Sequence, residues 1–196
     1  MADEYEIRMA PAEIRVDANG IKVEGYAAVF NQEADIGGFF REVIQPGAFK
    51  DAIGRDDVIF NVDHEGLPLA RTGSGTLTLS EDTHGLHMAS ELDGADPDVM
   101  QIIPKMKRGD LSKMSFAFRA IKEQWDDSGD IPLRTIMDAE LFDVSIVSMP
   151  AYDGTEIGIR SLDKFRKETK QKNFNAAARR IRMKLDLGLR SKRTAD

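Results

Sequence analysis

The feature that most constrains the fold is a recurring alternation of apolar and polar residues in short runs, separated by turn residues. Gly75-Thr76-Leu77-Thr78-Leu79-Ser80 alternates leucine with small polar residues. Lys113-Met114-Ser115-Phe116-Ala117-Phe118 sets Phe116 and Phe118 on one parity and Ser115, Ala117 and then Arg119 on the other. Successive side chains of a strand point to opposite faces. These runs therefore predict half-buried strands, with Ser115 facing away from a phenylalanine core.

Turn signals join the runs into hairpins. Asp17-Ala18-Asn19-Gly20 separates Glu13–Val16 from Ile21–Phe30, and Glu81–His84 separates Gly75–Ser80 from Gly85–Leu92. Asp126–Asp130 turns the Ser115 strand, running to about Trp125, into a return over Leu133–Met149 that carries an interruption or bulge and ends at Pro150. Phe39–Ile44 and Asp57–His64 are further strands, the second broken by Gly66 and Pro68. A short helix follows Pro46-Gly47 and reaches Ile53. A second opens at Asp96-Pro97, carries Val99, Ile102, Ile103 and Met106 at spacings of three and four, holds Pro104 near its centre and closes at Gly109-Asp110. The expected fold class is α+β, an antiparallel β-barrel core with a few surrounding helices.

At 196 residues the chain holds one core, or one core with an appendage. It has no cysteine, which excludes disulfides, thiolate zinc sites and a cysteine nucleophile. No apolar run approaches the ~20 residues of a bilayer span, and the N-terminal residues carry no secretory pattern. The net charge of -7 is unevenly spread. Residues 160–196 hold 13 Lys and Arg against 4 Asp and Glu, leaving 14 against 30 in residues 1–159. Residues 1–160 thus read as an acidic domain and 161–196 as a basic helical or flexible tail. Leu162–Leu189 is helix-like, with an apolar stripe too sparse for a domain. Such a tail is either a solvated helix or an arm for an acidic partner or nucleic acid.

Only His64, His84 and His87 could supply an imidazole base. His64 shares parity with Val58, Phe60 and Val62 at the end of its strand, where an imidazole is either structural or placed for proton transfer. In the return strand, Asp138 and Glu140 share parity with Ile136, Phe142, Val144 and Ile146. A carboxylate on an apolar face needs a partner, an imidazolium or an arginine such as Arg119 or Arg134. A serine, a histidine and a carboxylate on three separated strands are the ingredients of a Ser–His–acid set, whose members meet only in space. A cross-strand ion pair is the plain alternative. Metal binding competes through His84 and His87, with Glu81, Asp82 and Asp63 as oxygen donors. No Gly-rich phosphate loop occurs, so nucleotide binding has no support.

Five segments resemble those of the tailed-phage prohead (capsid maturation) serine proteases, a family similar to the herpesvirus assemblins in fold and chemistry. Gly25-Tyr26-Ala27-Ala28-Val29-Phe30-Asn31 is similar to the family's opening strand. Phe40–Phe49 resembles its E-x-I-x-P-G-A-F segment, and Asn61-Val62-Asp63-His64 its catalytic-histidine strand. Met114-Ser115-Phe116-Ala117-Phe118 resembles the nucleophile motif M-S-F-G-F, with Ala117 in place of the glycine. Leu141–Ala151 resembles the closing strand L-x-E-V-S-x-V-x-x-P-A. The order is the family's, over roughly Ile21 to Ile159.

The resemblance implies a serine endopeptidase with Ser115 as nucleophile and His64 as general base. The third member comes from the strand after the nucleophile. Glu140 is the choice on parity, with Asp138 on the same face and Asp143 inside the motif as the other candidates. Backbone N–H groups or an arginine such as Arg119 would serve the oxyanion. No cofactor and no metal are implied. The implied substrates are scaffold (delta) segments and the major capsid protein precursor, together with the enzyme itself. The implied setting is the immature capsid in the host cytoplasm, with a homodimer as the assembly known among assemblins. The tail would be a scaffold-like or targeting extension removed by self-cleavage. Membrane association is not expected, and nucleic-acid binding is the weaker reading. A catalytically silent capsid- or scaffold-binding barrel, anchored by its basic tail, is the non-enzymatic alternative.

Overall fold

The computed structural model describes residues 5–13, 15–17, 22–148 and 155–193. Its strands are β1 (Glu6–Glu13), β2 (Arg15–Val16), β3 (Lys22–Val29), β4 (Ala34–Ile36), β5 (Phe40–Ile44), β6 (Ile59–Val62), β7 (Glu65–Arg71), β8 (Leu77–Glu81), β9 (Gly85–Glu91), β10 (Lys113–Asp126) and β11 (Leu133–Val147). Its helices are α1 (Lys50–Arg55), α2 (Pro97–Arg108) and α3 (Thr155–Arg193). The expected α+β class holds. Closure into a barrel is not seen among the described residues, whose strands form two sheets. One has seven strands with the path β1-β10-β11-β5-β4 and the β6–β7 hairpin joined to β11, and the other is β2-β3-β9-β8.

Strand length explains this branching. β11 is long enough to take two parallel neighbours in succession on one edge, β5 against Leu133–Ile136 and β6 against Asp143–Ile146. Its other edge pairs with β10 along nearly the whole strand, with register shifts that include Ala117/Phe118. The expected interruption in the return strand is this irregular ladder. Three strands depart from expectation. β1 lies in a segment, before residue 13, to which the alternation assigns no element. The single strand expected over Phe39–Ile44 is joined by a short partner, β4. β7 runs through Gly66 and Pro68, which an edge position permits because β7 pairs only with β6.

The core gathers Met114, Phe116 and Phe118 of β10, Ala139, Leu141, Val144 and Ile146 of β11, Phe60 of β6, Phe49 before α1, and Val99, Ile102 and Met106 of α2. The α2 boundaries follow its sequence signals. Asp96 caps the first turn by accepting from the Asp98 N–H at 2.8 Å, and Gly109, at φ 83°, ends the helix in the left-handed conformation. Pro104 sits inside the helix on its exposed side. At Gly85 of β9 a Cβ would lie 2.0 Å from the Ala28 carbonyl oxygen, so the β3–β9 ladder requires glycine there. Gly85→Ala is expected to lower stability by about 2 kcal/mol through backbone displacement, read as a lower denaturant midpoint.

The chain divides into two units, Met1–Ile157 and Gly158–Asp196. The described residues of the second belong to α3. Among the described residues no helix is long and apolar enough to cross a membrane.

Candidate active site

The site is built on the side of the seven-stranded sheet opposite the phenylalanine core. β10 carries Ser115 there, and β11 places Ser145 directly across from it. β6 in turn sets Asn61 against Ser145. One row of small polar side chains therefore runs across three strands, Ser115–Ser145–Asn61, and all three are buried. The alternation read from the Ser115 segment is what the strand shows: Met114, Phe116 and Phe118 join the core and Ser115 faces away from it.

His64 reaches this row because of a tight turn. Val62 pairs with Glu65, so Asp63 and His64 are the two loop residues of the β6–β7 hairpin. Both have positive φ, 50° and 61°, as a type I′ turn requires. Asp and His tolerate this region better than most residues, and such strain is found where surrounding contacts enforce it. Here the Asp63 N–H donates to the Ile146 carbonyl at 3.0 Å, and the Asp63 carboxylate accepts from the Ser148 N–H at 2.8 Å and from the Ser148 hydroxyl. The turn is thus bolted to the end of β11. Simple parity sets His64 among Val58, Phe60 and Val62. The turn breaks that parity and swings the imidazole to the opposite side.

The imidazole bridges two side chains. Nε2 lies 2.7 Å from Ser115 Oγ, and Nδ1 lies 2.6 Å from Asp143 Oδ1. A carboxylate only accepts, so Nδ1 carries the proton and Nε2 presents a lone pair to the serine. Ser115 Oγ also lies 2.9 Å from the Arg8 carbonyl of β1. The hydroxyl has one proton, and the Nε2 contact is the shorter of its two acceptors.

The carboxylate chosen on parity is not the one at the imidazole. Glu140 pairs with Arg119, Nη1 to Oε2 at 2.8 Å, and Arg119 also covers the Phe142 ring at 5.2 Å. Asp138 stands opposite Lys122 in the ladder. The reason is a bulge. Phe118 pairs with Leu141 and Ala117 with Asp143, so Phe142 has no partner and the alternation of β11 slips there. Leu141 and Val144 both face the core, while Glu140, Asp143 and Ser145 lie on the other side. Arg119, considered for the oxyanion, is engaged by Glu140.

Two residues of the site carried no signal of chemistry in the sequence. Ser145 Oγ contacts Asn61 Oδ1, Asp143 Oδ1 at 2.9 Å and His64 Nδ1 at 3.2 Å. Only the ladder register brings them together. The oxygen donors of the metal reading have other partners. His84 and His87 pack edge-on against Tyr26, Asp82 accepts from the Tyr26 hydroxyl, and Glu81 accepts from the Phe49 N–H. The Tyr26 hydrogen bond raises the tyrosine pKa and lowers that of Asp82. Among the described residues no cluster of three or more potential metal ligands occurs.

Behind the site lies a buried charge cluster. Glu6 and Arg8 of β1, Glu42 of β5 and Arg134 of β11 are each almost wholly buried. Arg134 Nη1 donates to Glu6 at 2.7 Å and to Glu42 at 2.9 Å, and Nε donates to Glu123 at 2.6 Å. Arg8 Nε donates to Glu42 at 2.7 Å, and Arg8 Nη2 meets Glu6 at 2.5 Å. Burial opposes the Arg134 charge, but the Glu6 hydrogen bond and the fields of Glu42, Glu6 and Glu123 outweigh it and hold its pKa above the ordinary arginine value. The backbone of Arg8 touches Ser115, so the same strand segment serves both cluster and site.

A serine hydroxyl, an imidazole and a carboxylate joined in one hydrogen-bonded line form the constellation of the serine hydrolases, recognised by geometry and not by sequence position. Comparison with known proteins narrows the class. The family model of the caudovirus prohead serine proteases matches residues 9–170, and the chain belongs to that family. The prohead protease of Escherichia phage T5 is 27% identical over 137 residues, covering 66% of this chain and 58% of the relative. The chain thus spans little more than half the length of that relative. No solved structure matches the chain significantly.

Proposed function

We propose that the chain is a prohead serine endopeptidase in which Ser115 attacks the scissile carbonyl, His64 takes its proton and Asp143 holds the imidazole. The observation that carries this is the line Ser115 Oγ–His64 Nε2, His64 Nδ1–Asp143 Oδ1, with both contacts at hydrogen-bond length. A serine hydroxyl is a weak nucleophile and needs an adjacent base oriented by a third group. Asp143 keeps the proton on Nδ1 and stabilises the imidazolium that forms when Nε2 accepts the serine proton. The same Nε2–H then protonates the leaving amine. Glu140 takes no part.

The substrates in this reading are the scaffold and the major capsid protein precursor, cut within the immature capsid in the host cytoplasm, with self-cleavage removing residues 161–196. Family membership and the excess of Lys and Arg after residue 159 support it. The silent binding barrel is disfavoured by a catalytic set whose every member has its partner.

The test is covalent. Purified full-length protein is treated with a fluorophosphonate, and the adduct is located by peptide mass spectrometry. Modification of Ser115 is expected, and its absence, or an adduct on another serine only, overturns the reading. In the same spectra an intact mass that never shortens during incubation argues against removal of the tail.

A further inference from the structure

Ser145 and Asn61 stand behind the imidazole–carboxylate pair, and a count of protons assigns their roles. Asp143 Oδ1 lies 2.9 Å from Ser145 Oγ. A carboxylate offers no proton, so that contact is attractive only if the serine hydroxyl donates. Ser145 has one proton, and Asp143 takes it. The Ser145 oxygen then has only lone pairs to present to Asn61, whose amide must meet it with N–H. The two ends of an amide exchange by a half-turn, and the hydrogen bonds decide between them. Oδ1 facing Ser145 would set two acceptors against each other in a site where both residues are buried.

We propose that Asn61 and Ser145 are positioning residues, with Asn61 Nδ2–H donating to Ser145 Oγ and Ser145 Oγ–H donating to Asp143 Oδ1. This rests on the reading of Ser115 as nucleophile. The chain of donors runs from β6 through β11 to the carboxylate, which is thereby fixed as acceptor for His64 Nδ1–H. The same Ser145 oxygen lies 3.2 Å from Nδ1, so it borders the imidazole as well. The polar row across three strands thus holds Nε2 as the lone-pair end toward Ser115.

The imidazole meets Asp143 from β11, and its turn neighbour Asp63 is committed to Ser148. β10 brings the Ser115 hydroxyl. Loss of the Ser145 donor leaves Asp143 with one hydrogen bond fewer. The imidazole is then less firmly aimed at Ser115.

The experiment follows the rate of Ser115 modification by a fluorophosphonate against pH in the full-length wild type, Ser145→Ala and Asn61→Asp. Ser145→Ala is expected to react about tenfold more slowly on the alkaline plateau. Asn61→Asp is close in shape but has no N–H to give, and a similar loss on the plateau is expected. If the hydroxyl instead donated to Asn61, an aspartate would accept it equally well and the plateau would stay at the wild-type value. That result, or a Ser145→Ala profile matching the wild type, overturns the proposal. Thermal unfolding midpoints identify a variant that fails to fold. In that event Ser145→Cys, similar in size but a weak donor, is judged by the same criterion. A wild type that is never modified at Ser115 refutes the nucleophile assignment itself. A modified wild type with unaltered variants refutes only the role of Ser145 and Asn61.

Discussion

Ser115→Ala is expected to reduce peptide-bond cleavage by about 10⁶-fold, the loss seen when a nucleophile is removed from a set that acts as a unit. The companion substitutions distinguish the two carboxylates. Asp143→Asn keeps the size of the side chain but offers the imidazole an N–H or a neutral oxygen. The tautomer with its proton on Nδ1 is no longer enforced, and turnover should fall by about 10⁴-fold. Glu140→Gln only weakens a partly exposed ion pair with Arg119, and turnover should stay near that of the wild type. Cleavage of a co-expressed capsid-protein precursor, scored on gels over a time course, reads all three. A large loss in Glu140→Gln with little change in Asp143→Asn would return the third role to Glu140.

Arg134→Met is expected to destabilise the fold by about 3–5 kcal/mol, as happens when one partner leaves a buried charge network. Arg134 and Arg8 together balance Glu6 and Glu42, and all four are almost wholly buried. Without Arg134 two buried carboxylates share one arginine, and Glu123 loses one of its ion-pair contacts as well. Lysine is no substitute, because a single ammonium cannot serve the three carboxylates that the guanidinium fork reaches from three directions. The sign with pH is clear. A pKa raised on folding contributes stability that is complete below the unfolded value and lost only above it, so the Arg134 contribution persists throughout the ordinary pH range. Denaturant titration measures the loss, and a midpoint within error of the wild type would contradict it. The effect should extend to the site. Arg8 is held by the same cluster, and its carbonyl touches Ser115 Oγ, so the residual folded fraction should show slower fluorophosphonate modification.

The parts legible in the sequence were those set by local periodicity and local chemistry. Alternation around Ser115 gave the strand and the side on which the hydroxyl lies. Asp96-Pro97 and Gly109 gave the ends of α2, because caps and left-handed turns are properties of a few adjacent residues. Three histidines left few candidates for a base. β1 was not legible, since Glu6-Ile7-Arg8-Met9 buries a glutamate and an arginine that only distant partners neutralise. β7 was hidden by Pro68, which an edge strand tolerates.

The third carboxylate shows where local reading stops. Parity is a rule about an uninterrupted strand, and one unpaired residue, Phe142, resets it. No local pattern announces a bulge whose partner residues, Ala117 and Phe118, lie on a separate strand far upstream. The two-residue turn at Asp63 and His64 likewise reverses the direction of a side chain that its strand would have sent to the core. By itself the sequence determined which chemical groups were available, Ser115, His64 and a small set of acids, because those identities are covalent. The tertiary structure decided which of them meet. The register of β10, β11 and β6 aligns Ser115, Ser145 and Asn61 in one row, and the bulge and the turn bring Asp143 and His64 to it. Hydrogen bonds of 2.6 and 2.7 Å depend on positions that only the packed sheet can fix.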